Sequence, residues 1–148
     1  MKNNETINKD LNVYLSDLHV LYTKLHNYHW FVVGSSFFTL HAKLEEIYNA
    51  IAEHIDEVAE RIIMLQGKPL ASMKDYLVVA TLKEAEGKEL NAKEVIESLL
   101  ADFKLLLNEV TKIRQLADEN NEPITVAKMD AAIENYEKNI WMFSAYLK

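Results

Sequence analysis

The sequence predicts an all-α fold: a four-helix bundle with one long crossover that carries a short extra helix, in a single domain spanning residues 1–148. Three observations carry this expectation. Only three glycines and two prolines interrupt a chain that is 49 % hydrophobic, and its many Ala, Leu, Glu and Lys residues favour helix over strand. Apolar residues recur three to four apart in four long stretches, the period of a helix with one buried face. Two of the three links between those stretches are short, whereas the middle one, from Leu70 to Leu90, is long enough to cross a bundle.

The first long helix is expected from Asn8 or earlier to about Val32, with Leu11, Leu15, Leu18, Leu21 or Tyr22, Leu25, Tyr28 and Val32 inward. His19, His26 and His29 ride on or near that band. Gly34-Ser35-Ser36 then turns the chain back, which brings His29 near His41. The second helix starts at Ser36 as N-cap and stops at Gln66-Gly67-Lys68-Pro69, a glycine followed by a proline. Within the crossover, Met73 to Ala80 reads as a short helix, followed by the acidic KEAEGKEL interrupted by Gly87. Asn91, with Glu94 three residues on, forms a capping box. It opens a third long helix whose inner face is Val95, Leu99, Phe103, Leu106, Val110 and Ile113, fraying near Asp118-Glu119-Asn120-Asn121. After Pro123 the fourth runs from about Thr125 to Leu147, with Val126, Met129, Ile133, Tyr136, Ile140, Phe143 and Leu147 inward. The short links make two antiparallel pairs, and a bundle with one long crossover between its pairs is the ferritin-like arrangement.

Composition narrows the function. With no cysteine in the chain, disulfides, thiolate nucleophiles, zinc fingers and thiolate-held iron–sulfur clusters are excluded, and any metal must be held by His, Asp and Glu. Such ligands suit iron or manganese, although imidazole also accepts zinc. A formal net charge of −7 opposes sequence-independent nucleic-acid binding, which rests on clustered Lys and Arg. The first ten residues set Lys2 and Lys9 against Glu5 and Asp10, which is no basic tail. No run approaches the roughly 20 apolar residues of a membrane span, and the N-terminus lacks a signal-peptide core. The expectation is a soluble cytoplasmic protein with no membrane partner.

The chemistry concentrates on the second helix. From His41, the residues Glu45, Asp56 and Glu60 are rotated by about 40°, 60° and 100°, so all four share one sector. A rise of about 1.5 Å per residue puts roughly 22 Å between the His41/Glu45 and Asp56/Glu60 pairs, while the ligands of one ion lie within about 2–2.5 Å of it. One copy of the helix cannot close one site with both pairs. The two pairs are, however, equidistant from the midpoint between Ala50 and Ile51. Two copies laid antiparallel about that point would set His41 opposite Glu60 and Glu45 opposite Asp56, giving two identical sites per dimer as a two-fold axis requires. The alternative is that these are ordinary helix charges, solvated or in salt bridges. Against it, the stripe shares its face with Tyr48 and Ala52 and is flanked by Leu44, Ile47, Ile51, Ile55 and Ile62, where an uncompensated carboxylate costs several kcal/mol. No Glu stands three residues before any histidine, so the Glu-x-x-His pattern of a di-iron centre inside one bundle is missing.

His29-Trp30, Gly34, Phe37-Phe38, Leu40-His41, Glu45, Tyr48, Asp56 and Ala59-Glu60-Arg61 together resemble the signature of the Dps family, the mini-ferritins named for DNA-binding proteins from starved cells. Ile140-Trp141-Met142-Phe143 resembles the family's last helix, and the resemblance covers nearly the whole chain. It implies a ferroxidase and iron-storage protein: a homo-oligomer of twelve subunits built from two-fold dimers that oxidises Fe(II) to Fe(III), preferentially with hydrogen peroxide, stores ferric mineral inside and protects against oxidative stress. Carried over by position, the iron ligands and catalytic residues are His29, His41 and Glu45 of one subunit with Asp56 and Glu60 of its mate. The family often has Asp where Glu45 stands; Glu keeps the charge and adds a methylene. Trp30 adjoins the site, as an oxidisable neighbour or as an interface packing residue. Glu122 and Asp130 are candidates for an ion pore, or solvated helix charges. DNA-compacting members usually carry a basic tail, which is lacking here, so no strong DNA binding is expected. The competing classes are a DNA-compacting or purely structural helical assembly without ferroxidase activity, and a di-metal oxidase acting on an organic substrate.

Overall fold

A computed structural model describes residues 4–148; residues 1–3 of the N-terminal decade lie outside the described residues. The long helices are α1 (Glu5–Phe31), α2 (Phe37–Met64), α4 (Ala92–Glu119) and α5 (Pro123–Tyr146), with the short α3 (Met73–Val79) in the crossover and two two-residue strands, β1 (Val32–Val33) and β2 (Leu90–Asn91). Helix α1 packs on α2 and α4 on α5, α1 also meets α4 to join the two hairpins, and α3 lies on α1. Every inward position expected on the first and third long helices is buried, apart from the half-buried alternative Tyr22. Each buried Leu, Ile, Val or Phe contributes about 1.5–3 kcal/mol relative to exposure, and that apolar seam holds the bundle together.

The helix ends follow from local chemistry. Asn91 accepts from the Glu94 amide while Glu94 reaches back to the Asn91 amide, the expected capping box. Ser72 caps α3 by accepting from Asp75 N. Ser36 occupies the N-cap position of α2 without making a cap bond, because its hydroxyl receives Tyr146 instead. At the other end of α2 the left-handed residue is Gln66, with φ of 65°, rather than Gly67. Gly67 lies at a close approach instead: a Cβ there would sit 2.5 Å from the Asn8 side-chain amide, which donates to Leu65 O and would have to shift. Helix α5 begins at Pro123, two residues before the expected start, because proline's missing N–H costs nothing in the first turn.

The crossover is fastened along its length. Asp17, fully buried in α1, accepts from Thr81 N, Leu82 N and Thr81 Oγ1 at 2.7, 2.8 and 2.7 Å. Lys24 Nζ bridges Asp102 of α4 at 2.8 Å and Lys83 O at 2.9 Å, and Asn27 donates to Glu86 O. At the far end, β2 pairs in parallel with β1, Val32 opposite Leu90. Nothing in the sequence announces that ladder, since two residues carry no period.

Glu109 of α4 faces Asp17, Asp10 and Thr81. Burial first, then the Asp17 carboxyl beside it, pushes its pKa up from 4.5 to about 9. A folded pKa raised above the unfolded one means that the fold favours the protonated form. Its contribution to stability is complete below pH 4.5 and drains away as pH rises toward 9. Glu109→Gln keeps a donor for Asp17 and removes the titration. Its Tm should exceed the parent's at pH 9, with the gap closing as pH falls toward 4.5; calorimetry showing parallel curves would contradict this.

Candidate metal centre

The centre forms where α1 ends and α2 begins. The turn around Gly34, whose φ of +113° only glycine adopts easily, lays the end of α1 beside the start of α2. His29 and His41 then stack, with ring centroids 3.6 Å apart and planes 14° from parallel. His29 Nδ1 lies 2.7 Å from His41 O, and His41 Nδ1 lies 2.8 Å from His29 O. A carbonyl only accepts, so each Nδ1 must carry the proton and donate, leaving each Nε2 lone pair free in the neutral ring. This is the tautomer that a metal-binding imidazole needs. The His41 bond also satisfies a carbonyl in the last turn of α1, where helical donors run out.

Glu45, one turn beyond His41 and 57 % exposed, places Oε1 at 3.9 Å from His29 Nε2. Tyr48 donates its hydroxyl to the same oxygen at 3.3 Å. Phe37 stacks on the other side of His41. His29 Nε2 and Glu45 Oε1 thus approach each other at one end of α2, with the His41 ring stacked on His29; imidazole nitrogen and carboxylate oxygen are donors suited to ferrous ion and other borderline cations.

The remaining expected residues lie elsewhere. Asp56 and Glu60 are exposed on α2, fifteen and nineteen residues beyond His41 along one unbroken helix, so roughly 22 Å of helix separates the two pairs. Among the described residues of one chain, no three His, Asp or Glu groups converge as a metal cluster. Trp30 is 66 % exposed and its ring contacts His26. Glu122 is buried, with Oε2 at 3.5 Å from Arg61 Nη2. Asp130 accepts from Arg114 Nε at 2.9 Å. His26 has no role legible from the sequence alone, although Tyr22, His26 and His29, at spacings of four and three on α1, share the face that meets Tyr48.

The chain matches the family model of the ferritin-like domain over residues 8–148. It is 40 % identical over 144 residues to DNA protection during starvation protein 2 of Bacillus anthracis, covering 97 % of this chain and 98 % of that one. The crystal structure of a Dps protein from Bacillus brevis superposes with a TM-score of 0.95 at 40 % identity over 100 % of both chains. That of a Dps protein from Vibrio cholerae O1, described as a member of a broad superfamily of ferritin-like diiron-carboxylate proteins, does so with a TM-score of 0.94 at 36 % identity, over 98 % of this chain and 91 % of that one. The chain belongs to the Dps family of ferritin-like proteins. Among the described residues, no helix is long and apolar enough to cross a membrane.

Proposed function

We propose that this protein is a ferroxidase and iron store: it oxidises Fe(II), preferentially with hydrogen peroxide, at sites shared by two-fold-related subunits, and keeps the ferric product inside a shell of twelve. The observation that supports this reading is the reciprocal bonding of His29 and His41, which fixes both tautomers and leaves both Nε2 lone pairs free, with His29 Nε2 3.9 Å from Glu45 Oε1. Asp56 and Glu60 of a mate, laid antiparallel along α2, would complete the donor set.

Fe(II) is the substrate, and each residue has a distinct task toward it. His29 and His41 would supply nitrogen donors whose tautomers and ring planes are already fixed by their Nδ1 bonds and mutual stack, so little ring freedom is lost on binding. Glu45 with the mate's Asp56 and Glu60 supplies negative charge, which stabilises Fe(III) over Fe(II) and favours electron loss. Two ferrous ions give up one electron each; one peroxide takes both, its O–O bond breaks, and two protons complete two waters. Paired delivery avoids the one-electron route that releases hydroxyl radical. Mixing Fe(II) with peroxide and the oligomer should give rapid ferric absorbance, with sedimentation reporting a twelve-subunit particle. Oxidation no faster than in buffer would refute the reading.

Bacillus anthracis DNA protection during starvation protein 2 is named for DNA, yet we expect no strong DNA binding by this chain at physiological salt. Its net charge of −7 offers phosphate no dense cationic face. A stoichiometric gel shift under those conditions would overturn this expectation.

A further inference from the structure

One oxygen of Glu45 has two neighbours, and the second is Tyr48. Its hydroxyl donates to Glu45 Oε1 at 3.3 Å, the same atom that lies 3.9 Å from His29 Nε2. The phenol ring is boxed in. His26 stacks on its face with centroids 3.9 Å apart and planes 20° from parallel, Tyr22 meets it edge-on at 6.0 Å, and His29 stands perpendicular at 5.3 Å. His26 is pinned in turn, its Nδ1 lying 2.9 Å from Tyr22 O. Within one chain the Glu45 side chain is 57 % exposed, and a glutamate held by few neighbours of its own subunit samples many rotamers whose loss opposes ion binding.

We propose that Tyr48 is a positioning residue that presets Glu45 Oε1 toward His29 Nε2, with His26 as the stacked plate that holds the phenol in register. This rests on the reading of His29, His41 and Glu45 as ligands of the ferrous substrate. The hydroxyl occupies one lone-pair direction of a carboxylate that has others for an ion, so Tyr48 acts through Glu45 without touching the metal. Partners of this kind typically change metal affinity by about 10–100-fold when removed.

The test uses the assembled full-length protein and Co(II), a redox-stable probe whose visible absorption reports ligand number and symmetry. Tyr48→Phe keeps the ring and its stack on His26 and loses only the hydroxyl. We expect about 10-fold weaker Co(II) binding, a shifted Co(II) spectrum, an unchanged Tm, and a raised KM for Fe(II) with kcat little altered. In a Glu45→Ala background the same Tyr48→Phe change should have no further effect, since residues acting through one another are not additive. Parent-like Co(II) affinity in Tyr48→Phe overturns the proposal. So does an equal loss in both backgrounds, which marks a packing effect. A Glu45→Ala protein that binds Co(II) like the parent instead removes Glu45 from the ligand set, which overturns the underlying site reading and is a separate result.

Discussion

Replacing Asp56 and Glu60 together by alanine is expected to slow Fe(II) oxidation by at least about 100-fold, since loss of mere ligand-supporting groups already costs 10–100-fold, while each subunit stays folded. Both side chains are exposed on α2, no apolar packing is lost, and alanine is the strongest helix former. Stopped-flow absorbance reads the rate, and circular dichroism checks the fold. A rate equal to the parent's would remove both carboxylates from the site. A mixing experiment separates a shared site from one built within a subunit. Subunits lacking Asp56 and Glu60 still carry His41 and Glu45, and His41→Ala/Glu45→Ala subunits still carry the two distal carboxylates. A mixed two-fold pair has one intact site and one doubly broken site. Dissociating and reassembling the two inactive proteins together should therefore restore activity, which a site confined to one chain would not allow.

The largest stability effect from removing a single atom is expected at the hydroxyl pair of Tyr14 and Tyr136. These rings are buried in the bundle core, their hydroxyls are hydrogen-bonded to each other across α1 and α5, and Phe103 closes the cluster edge-on. Burial pushes both phenol pKa values up, so both stay neutral. Tyr14→Phe leaves the Tyr136 hydroxyl without its partner in a site sealed from water, which costs about 1–3 kcal/mol. Tyr136→Phe should cost a similar amount. Changing both to Phe removes the polar pair altogether and should cost less than the sum of the two, close to the parent. Urea denaturation with unchanged m-values would measure all three, and strictly additive losses would contradict the coupling.

The helices were legible because their signal is local and repeated. Leu11 to Tyr28 and Val95 to Ile113 each give several turns of one apolar face, and Asn91/Glu94 announces a helix start within four residues. The His41/Glu45 and Asp56/Glu60 stripe was legible for the same reason, because a helix converts sequence spacing directly into direction. The proximity of His29 and His41 followed from a three-residue turn. Contacts between residues far apart in sequence were not legible. Asp17 looks like any helix acid until Thr81 and Leu82, more than sixty residues on, are seen to donate to it. Glu122 looks like a loop charge until Arg61 closes on it. The parallel pairing of β1 with β2 depends on where the crossover lands, which no spacing rule encodes. Tyr48 shares the carboxylate stripe in the sequence, but nothing in one sequence tells which oxygen a tyrosine hydroxyl will meet.

On the proposed reading of His29 and His41 as ligands, the crossed bonds between them constrain any attempt to retune the site for another cation. His41 also closes the end of α1 through His29 O, so a cysteine or aspartate put there to attract a softer or harder ion would leave that carbonyl bare and strip the stacked ring from His29, which would keep only its bond to the backbone carbonyl of residue 41. A redesign would have to change the α1–α2 turn as well as the donor atom. In the proposed site, selectivity and the closure of α1 meet in one side chain, whereas Asp56 and Glu60, exposed in the single chain, are the freer place to begin.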